Sequence, residues 1–306
     1  MYRKQVVDYL VYFTVRCLIC FAQAIRIETG HELARWVAWL LGDVLRIRAD
    51  VVDENLRHAF ADLSPEQRKR LARQMWEHLL LLVLEIAHVP RKVHETNWRS
   101  YVRHRDSVPL VRYLLSDRPV IIVTAHFGNF EVGGYALGVL GFPSYTVARN
   151  LDNPYLDRFL ARFRGATGQH MIPKNGGFDQ IVAVLSGGGT MVFLADQYAG
   201  EKGCWVEFFG RPASAHKAIA LLALEYDAPV VVCEVLRRDR PMQFELGILA
   251  VADPRSADDE VANVRAMTQW YTRHLERAIR GAPQQYWWLH RRWKDTRKGG
   301  RRKAEV

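Results

Sequence analysis

Cysteine is scarce in this chain, with four in 306 residues. Cys17 and Cys20 form a C-x-x-C, but they sit inside an apolar run with no second pair and no histidine beside them. That excludes a disulfide framework and gives no zinc or redox motif. Cys204 and Cys233 read as ordinary thiols, in keeping with a reducing compartment. No G-x-S-x-G elbow is present, which excludes a serine hydrolase of the α/β type. A phosphate loop is also missing: Gly187, Gly188 and Gly189 precede a strand-like run, whereas such loops follow a strand and open a helix. There is no internal repeat and no Gly/Ser linker, so one main domain is expected. A single apolar run approaches spanning length, which excludes a polytopic membrane protein.

Acidic residues are the minority. The 33 Asp and Glu against 43 Lys and Arg leave a net charge of +10, which calls for an acidic partner such as an anionic membrane surface or an acidic carrier protein. Hydrophobic residues at 49% and charged residues at 25% belong to a folded globular chain and exclude a disordered one. Arg291, Arg292, Lys294, Arg297, Lys298, Arg301, Arg302 and Lys303 crowd the C-terminus behind Trp287, Trp288 and Trp293. That mixture suits a lipid headgroup boundary, and since no recognition motif accompanies it, nucleic acid is not an expected partner. Residues 296–306 are expected to form a basic tail.

The apolar run covers residues 6–25 and is interrupted by Asp8, Arg16 and Gln23. It lacks the short core and small-residue cleavage site of a signal peptide. A mid-span arginine costs about 2.5–3.5 kcal/mol on insertion scales, so the helix either lies in the interface, spans with help from the rest of the protein, or is an ordinary buried helix. Trp36, Trp39, Leu40 and Leu41, mixed with Arg35, Arg46 and Arg48, continue an interfacial composition. Residues 1–27 are therefore expected to be a membrane-associating helix, followed by a domain over residues 28–295.

Ser64, Pro65 and Gln67 make a helix start with a capping box, and Pro90 predicts that this helix stops before it. β-Branched runs at 120–124, 145–148, 191–195 and 230–235 read as buried strands, with helical patterns between them. Strand–helix alternation predicts an α/β fold with a mostly parallel sheet flanked by helices.

The first of these strands leads into Ala125-His126-Phe127-Gly128-Asn129-Phe130-Glu131. Ligands are handled at the carboxyl ends of strands in open α/β sheets. A neutral histidine there can take a proton from a hydroxyl, and a carboxylate can orient the ring and stabilise the imidazolium. On one helix, five positions would set His126 and Glu131 about 140° apart. The spacing therefore predicts His126 in the strand-to-helix loop, a turn at Gly128, and Glu131 in the first helical turn.

Three further blocks accompany this one: 148–158 (ARNLDNPYLDR), 195–197 (ADQ) with 206–213 (VEFFGRPA), and 283–294 (PQQYWWLHRRWK). In order and spacing, residues 30–295 resemble the late acyltransferases of lipid A biosynthesis, in the glycerol-phosphate-acyltransferase superfamily, with Phe130 where that family often has Trp. The resemblance implies a glycerol-phosphate-acyltransferase-like fold and transfer of an acyl chain from an acyl carrier protein or CoA thioester to a hydroxyl of a membrane glycolipid. No cofactor is implied. Location at the cytoplasmic face of the bacterial inner membrane is. His126 would be the general base and Glu131 its orienting partner. Asp196 would be a second carboxylate on His126 or a hydrogen-bonding group for sugar. Arg149 would meet the acceptor's phosphate or glycan, with Asn129, Lys174, Gln197 and Arg211 as further substrate contacts. Backbone N–H groups near Gly128 are expected to form an oxyanion hole, and Phe130, Tyr135, Leu137, Phe208 and Phe209 to line an acyl groove. The superfamily also acylates phosphatidylinositol mannosides and glycerol phosphates, so the acceptor stays open at this point.

Overall fold

The computed structural model of the protein describes residues 2–256 and 259–294, so the expected basic tail at 296–306 lies outside the described residues. Seven strands form one sheet: β1 (Val102–Arg105), β2 (Val120–Thr124), β3 (Ser144–Ala148), β4 (Gln169–Pro173), β5 (Thr190–Leu194), β8 (Val230–Arg237) and β9 (Phe244–Ala252). Their order is β1-β9-β8-β2-β5-β3-β4, and β6 (Cys204–Phe208) and β7 (Arg211–Ala215) make a separate antiparallel hairpin. The expected mostly parallel sheet is present, with one antiparallel step between β8 and β9. Alternation along the buried β2 builds two layers of core. Ile121 and Val123 face α3 (Ala49–Ala59), α9 (Ala218–Glu225) and α10 (Val264–Gly281), while Val120 and Ile122 face α5 (Val108–Leu114) and α6 (Phe130–Val139).

Helix α1 (Tyr2–Ala24) packs on α4 (Pro65–Lys92) and α7 (Pro154–Gly165). Tyr9 and Tyr12 meet Tyr155 and Phe159, the Arg16 guanidinium lies 4.9 Å over the Phe159 ring, and Asn153 Nδ2 donates to the Asp8 carbonyl. The charge that interrupts the apolar run therefore faces protein. Val6, Val7, Leu10, Val11, Phe13, Leu18 and Phe21 remain exposed on the outer side. From Lys4 to Ala24 the helix is long and apolar enough to cross a membrane. Helix α2 (Ile27–Trp39) buries Ile27, Gly30, Ala34 and Ala38 and leaves Leu33, Trp36 and Trp39 outside.

The capping box of α4 is formed, with Ser64 N–H donating to Gln67 Oε1 (2.7 Å) and Gln67 N–H to Ser64 Oγ (3.3 Å). Its expected stop before Pro90 is corrected: the helix runs through Pro90 to Lys92. A proline in the last turn removes a single backbone bond there. The chain is held on either side of it, since Gln23 Nε2 donates to the Ala87 carbonyl (2.6 Å) and Val93 N–H to Val89 (2.9 Å).

Behind the 126–129 loop α4 contributes a buried polar cluster. Glu85 and Arg237 pair through both oxygens at 2.6 and 2.7 Å, with side chains 0% and 9% exposed. Glu85 also accepts from Asn129 Nδ2 (2.9 Å) and the Met242 N–H (3.0 Å). Arg237 donates to His78 Nδ1 (2.7 Å), so the His78 proton sits on Nε2, which donates to the Gly128 carbonyl (3.2 Å). Burial, reinforced by the Arg237 charge, holds His78 well below the usual 6.5.

Arg237→Ala is expected to cost about 3–5 kcal/mol, because it leaves Glu85 charged and unpaired, and a denaturant midpoint checks this. Stability should also fall in acid. Below about pH 6.5 the unfolded chain protonates His78 and the folded chain does not, so the unfolded state binds more protons and stability drops as pH falls. His58, His88 and His104, all lowered mainly by burial, act in the same direction. Melting followed by circular dichroism at pH 7.5 and pH 5 tests this, and an equal midpoint at both would contradict a neutral His78.

Candidate active site

The parallel strands β8, β2, β5, β3 and β4 end at one edge of the sheet. Across that edge, in order, come Arg237, the 126–131 segment, Asp196, Arg149 and Lys174. Strands β2 and β5 are paired with Thr124 opposite Leu194, and the Ala195 N–H bonds the Thr124 carbonyl at 2.9 Å. Two residues beyond each partner stand His126 and Asp196, so the register itself brings them together. His126 Nδ1 lies 2.9 Å from Asp196 Oδ1, and the His126 N–H donates to the same oxygen at 3.1 Å.

His126 is in the loop, Gly128 turns the chain at φ +60°, and Glu131 opens α6, as the spacing predicts. A Cβ on Gly128 would lie 2.0 Å from the Val235 carbonyl oxygen, so no other residue fits there. The expected bond from Glu131 to His126 is replaced. Arg164, in the last turn of α7, takes both Glu131 oxygens, with Nε at 3.0 Å from Oε2 and Nη2 against Oε1. Glu131 thus acts on His126 through its field, and Asp196 orients the ring.

Burial opposes the charges of both His126 and Asp196. Their attraction and hydrogen bond outweigh it, with Glu131 adding to the effect on the ring, so His126 lies above 6.5 and Asp196 below 3.8. Neutral His126 keeps its proton on Nδ1 against Asp196, which leaves the Nε2 lone pair free to accept one. Phe130 and Trp287 flank the ring edge-on, at 5.2 and 5.4 Å between centroids.

The C-terminal segment 285–292 runs back along the loop. Gly128 N–H donates to the Gln285 carbonyl (2.9 Å) and Trp287 N–H to that of His126 (3.0 Å). Buried Tyr286, its phenol pushed well above 10 by burial and by Asp196 beside it, and buried Arg292 close the floor. His290 Nε2 accepts from the Tyr198 N–H (3.1 Å). His290 and His216 are both lowered, chiefly by burial, and the cations near them act the same way: Arg292 and Lys294 on His290, Lys174 and Arg292 on His216. Among the described residues no group of three or more His, Cys, Asp or Glu is arranged to hold a metal ion.

The other expected contacts divide. Gln197 Nε2 stands 3.5 Å from His126 Nε2, and Lys174 reaches the rim beside His216. Arg149 leaves β3 at the same edge, exposed and paired with Asp152 at 3.0 Å. Asn129 is corrected: it is fully buried, its Oδ1 caps the Val132 N–H and its Nδ2 serves Glu85, so it has nothing left for substrate. Arg211 is corrected too. It stands at the far end of the β6–β7 hairpin from His216, where its charge acts on His58. Phe130 and Leu137 border an apolar cavity of about 50 Å³ with Leu110, Ile122, Val192 and Leu246. Tyr135 instead packs in the core with its hydroxyl on the Val93 carbonyl, while Phe208 and Phe209 pack with Trp288 and Trp293 on the opposite face of the sheet. Arg164, His78, Glu85, Arg237 and Gln285 were not singled out from sequence, because each matters through a long-range pair that no local pattern announces.

Asp196→Asn should lower the His126 imidazole pKa by about 1 to 3 pH units, which an NMR titration of the labelled ring measures directly. An unchanged midpoint would mean that Glu131, not Asp196, sets it.

The family model described as bacterial lipid A biosynthesis acyltransferase matches residues 1–295. The lipid A biosynthesis palmitoleoyltransferase of Escherichia coli is 25% identical over 253 residues, covering 82% of this chain and 80% of that protein. The lauroyltransferase of the same organism is 22% identical over 263 residues, covering 83% and 82%. Among solved structures, the 1-acyl-sn-glycerophosphate acyltransferase of Thermotoga maritima aligns with 88% of this chain and all of its own, at 13% identity and a TM-score of 0.39. With the family model covering nearly the whole sequence, the chain belongs to the bacterial lipid A biosynthesis acyltransferases and is an O-acyltransferase of that type.

Proposed function

We propose that the protein transfers a fatty acyl chain from the thioester of acyl carrier protein or CoA to a hydroxyl of a lipid A precursor, at the cytoplasmic face of the inner membrane, with His126 as general base. The observation that carries this reading is the 2.9 Å bond from His126 Nδ1 to Asp196, which commits one ring nitrogen and leaves the other facing the rim. The acceptor O–H gives its proton to Nε2 while its oxygen attacks the thioester carbonyl, and Asp196 stabilises the imidazolium. The imidazolium then protonates the departing thiolate, with no acyl-enzyme. Glu131, held by Arg164, fixes the first turn of α6 and adds its field to that of Asp196. Lys174 and the exposed Arg149 on the same edge suit an acceptor phosphate. The apolar cavity beside Phe130 suits the start of the acyl chain. The net charge of +10 suits an acidic carrier protein.

The exposed apolar sides of α1 and α2 support docking on the membrane surface. Arg16 rests on α7, and the remaining outward side chains are those that partition into an interface.

His126→Ala is expected to abolish transfer from labelled acyl thioesters to lipid A precursors while the protein remains folded and vesicle-bound. Persistent transfer would remove His126 from the mechanism. Placing Asp at Leu10, Phe13 and Leu18 together should release the protein from vesicles in a flotation assay without lowering its melting point, since all three are exposed. Unchanged flotation would put the docking surface elsewhere.

A further inference from the structure

We propose that the Gln197 side-chain amide donates the hydrogen bond that stabilises the oxyanion formed at the thioester carbonyl; this rests on the acyl-transfer reading above. The oxyanion hole expected from backbone N–H groups around Gly128 has no donors to spare in the loop. His126 N–H goes to Asp196 Oδ1 (3.1 Å), Phe127 N–H to Ala125 (2.7 Å), Gly128 N–H to Gln285 (2.9 Å) and Asn129 N–H to Val235 (2.7 Å). On the other side of the site the Tyr198 N–H is taken by His290 (3.1 Å).

Gln197 is placed differently. It follows Asp196 directly, so the carboxylate that orients His126 also fixes the backbone from which the amide projects. Its Nε2 is 3.5 Å from His126 Nε2, too long for a strong hydrogen bond. The His126 lone pair settles which way the amide points, because the amide oxygen would meet that lone pair with one of its own. The amide N–H groups thus rest against the atom that the acceptor hydroxyl must reach. A hydroxyl arriving at about 2.8 Å from Nε2 displaces them by a short swing, toward the carbonyl under attack.

The step balances with these groups alone. The acceptor proton passes to His126 Nε2 as the O–C bond forms, and the carbonyl π pair moves onto oxygen, where it accepts from the Gln197 N–H. Collapse breaks the C–S bond, and the thiolate takes the proton from His126. A donor aimed at developing charge acts on kcat rather than on ground-state binding.

Gln197→Met keeps the volume and removes both N–H groups. We expect kcat for transfer from acyl carrier protein thioesters to fall about 100- to 1000-fold, with KM for donor and acceptor within about threefold. The acid limb of the pH–rate profile should not move, since His126 and Asp196 are untouched. Gln197→Asn, which keeps an amide on a shorter stem, should recover part of the rate. The proposal is overturned by a kcat loss under about fivefold, by a loss carried entirely in KM, or by a moved acid limb. The first of these would leave the task to the first-turn N–H groups of α6. Wild-type protein that transfers to no acceptor would instead undo the acyl-transfer reading, and this proposal with it.

Discussion

Glu85 and Arg237 come from a long N-terminal helix and the far end of a central strand, and they meet where water does not reach. Desolvating two charges costs several kcal/mol per ion, so a pair of this kind is a poor source of net stability. What it does provide is position. Every oxygen and nitrogen around it has an assigned partner, and three of those partners are parts of the active-centre loop or lead to it: Asn129, His78 on the Gly128 carbonyl, and Arg237's own backbone on Gln285. The loop cannot shift without breaking several buried bonds at once. The His126 ring is therefore held from two sides, its backbone by this cluster and its Nδ1 by Asp196.

The rim carries three imidazoles, and Asp196 is the carboxylate whose field reaches them all. Direct contact with Asp196 raises His126, while burial and neighbouring cations keep His216 and His290 lowered. The proton that moves during turnover is thus assigned to one ring by geometry. The Tyr198 N–H reinforces this for His290, because it occupies Nε2 and leaves the proton on Nδ1.

Much of this was legible before any coordinates. The β-branched runs became β2, β3, β5 and β8, and the H-x4-E spacing placed a loop, a turn at glycine and a helix start where they stand. These are local signals, carried by side-chain shape and by period. Strand order is not local. That β5 lies next to β2, with Thr124 opposite Leu194, is what makes Asp196 the partner of His126, and no spacing along the chain contains it. Arg164 is a similar case: it reads as an ordinary cation on a helix until α7 sets it against Glu131. Asn129 misled in the opposite direction. A polar residue in a catalytic loop reads as a ligand contact, yet its amide is used up in capping α6 and satisfying Glu85. Pro90 marked the end of a helix that tertiary contacts extend by a further turn.

Helix α7 touches two things at its two ends. Tyr155 and Phe159 hold the membrane-facing α1, and Arg164 holds Glu131. From Tyr155 to Arg164 is nine residues, about 14 Å of rigid helix. With α1 lying in the lipid interface as proposed, α7 becomes a strut of fixed length between that interface and the catalytic base. The enzyme then measures standoff. Hydroxyls on a glycolipid headgroup that are chemically alike but sit at different heights above the acyl chains would differ in whether they reach Nε2 at all. Choice among them would follow from altitude as much as from any contact that recognises the sugar.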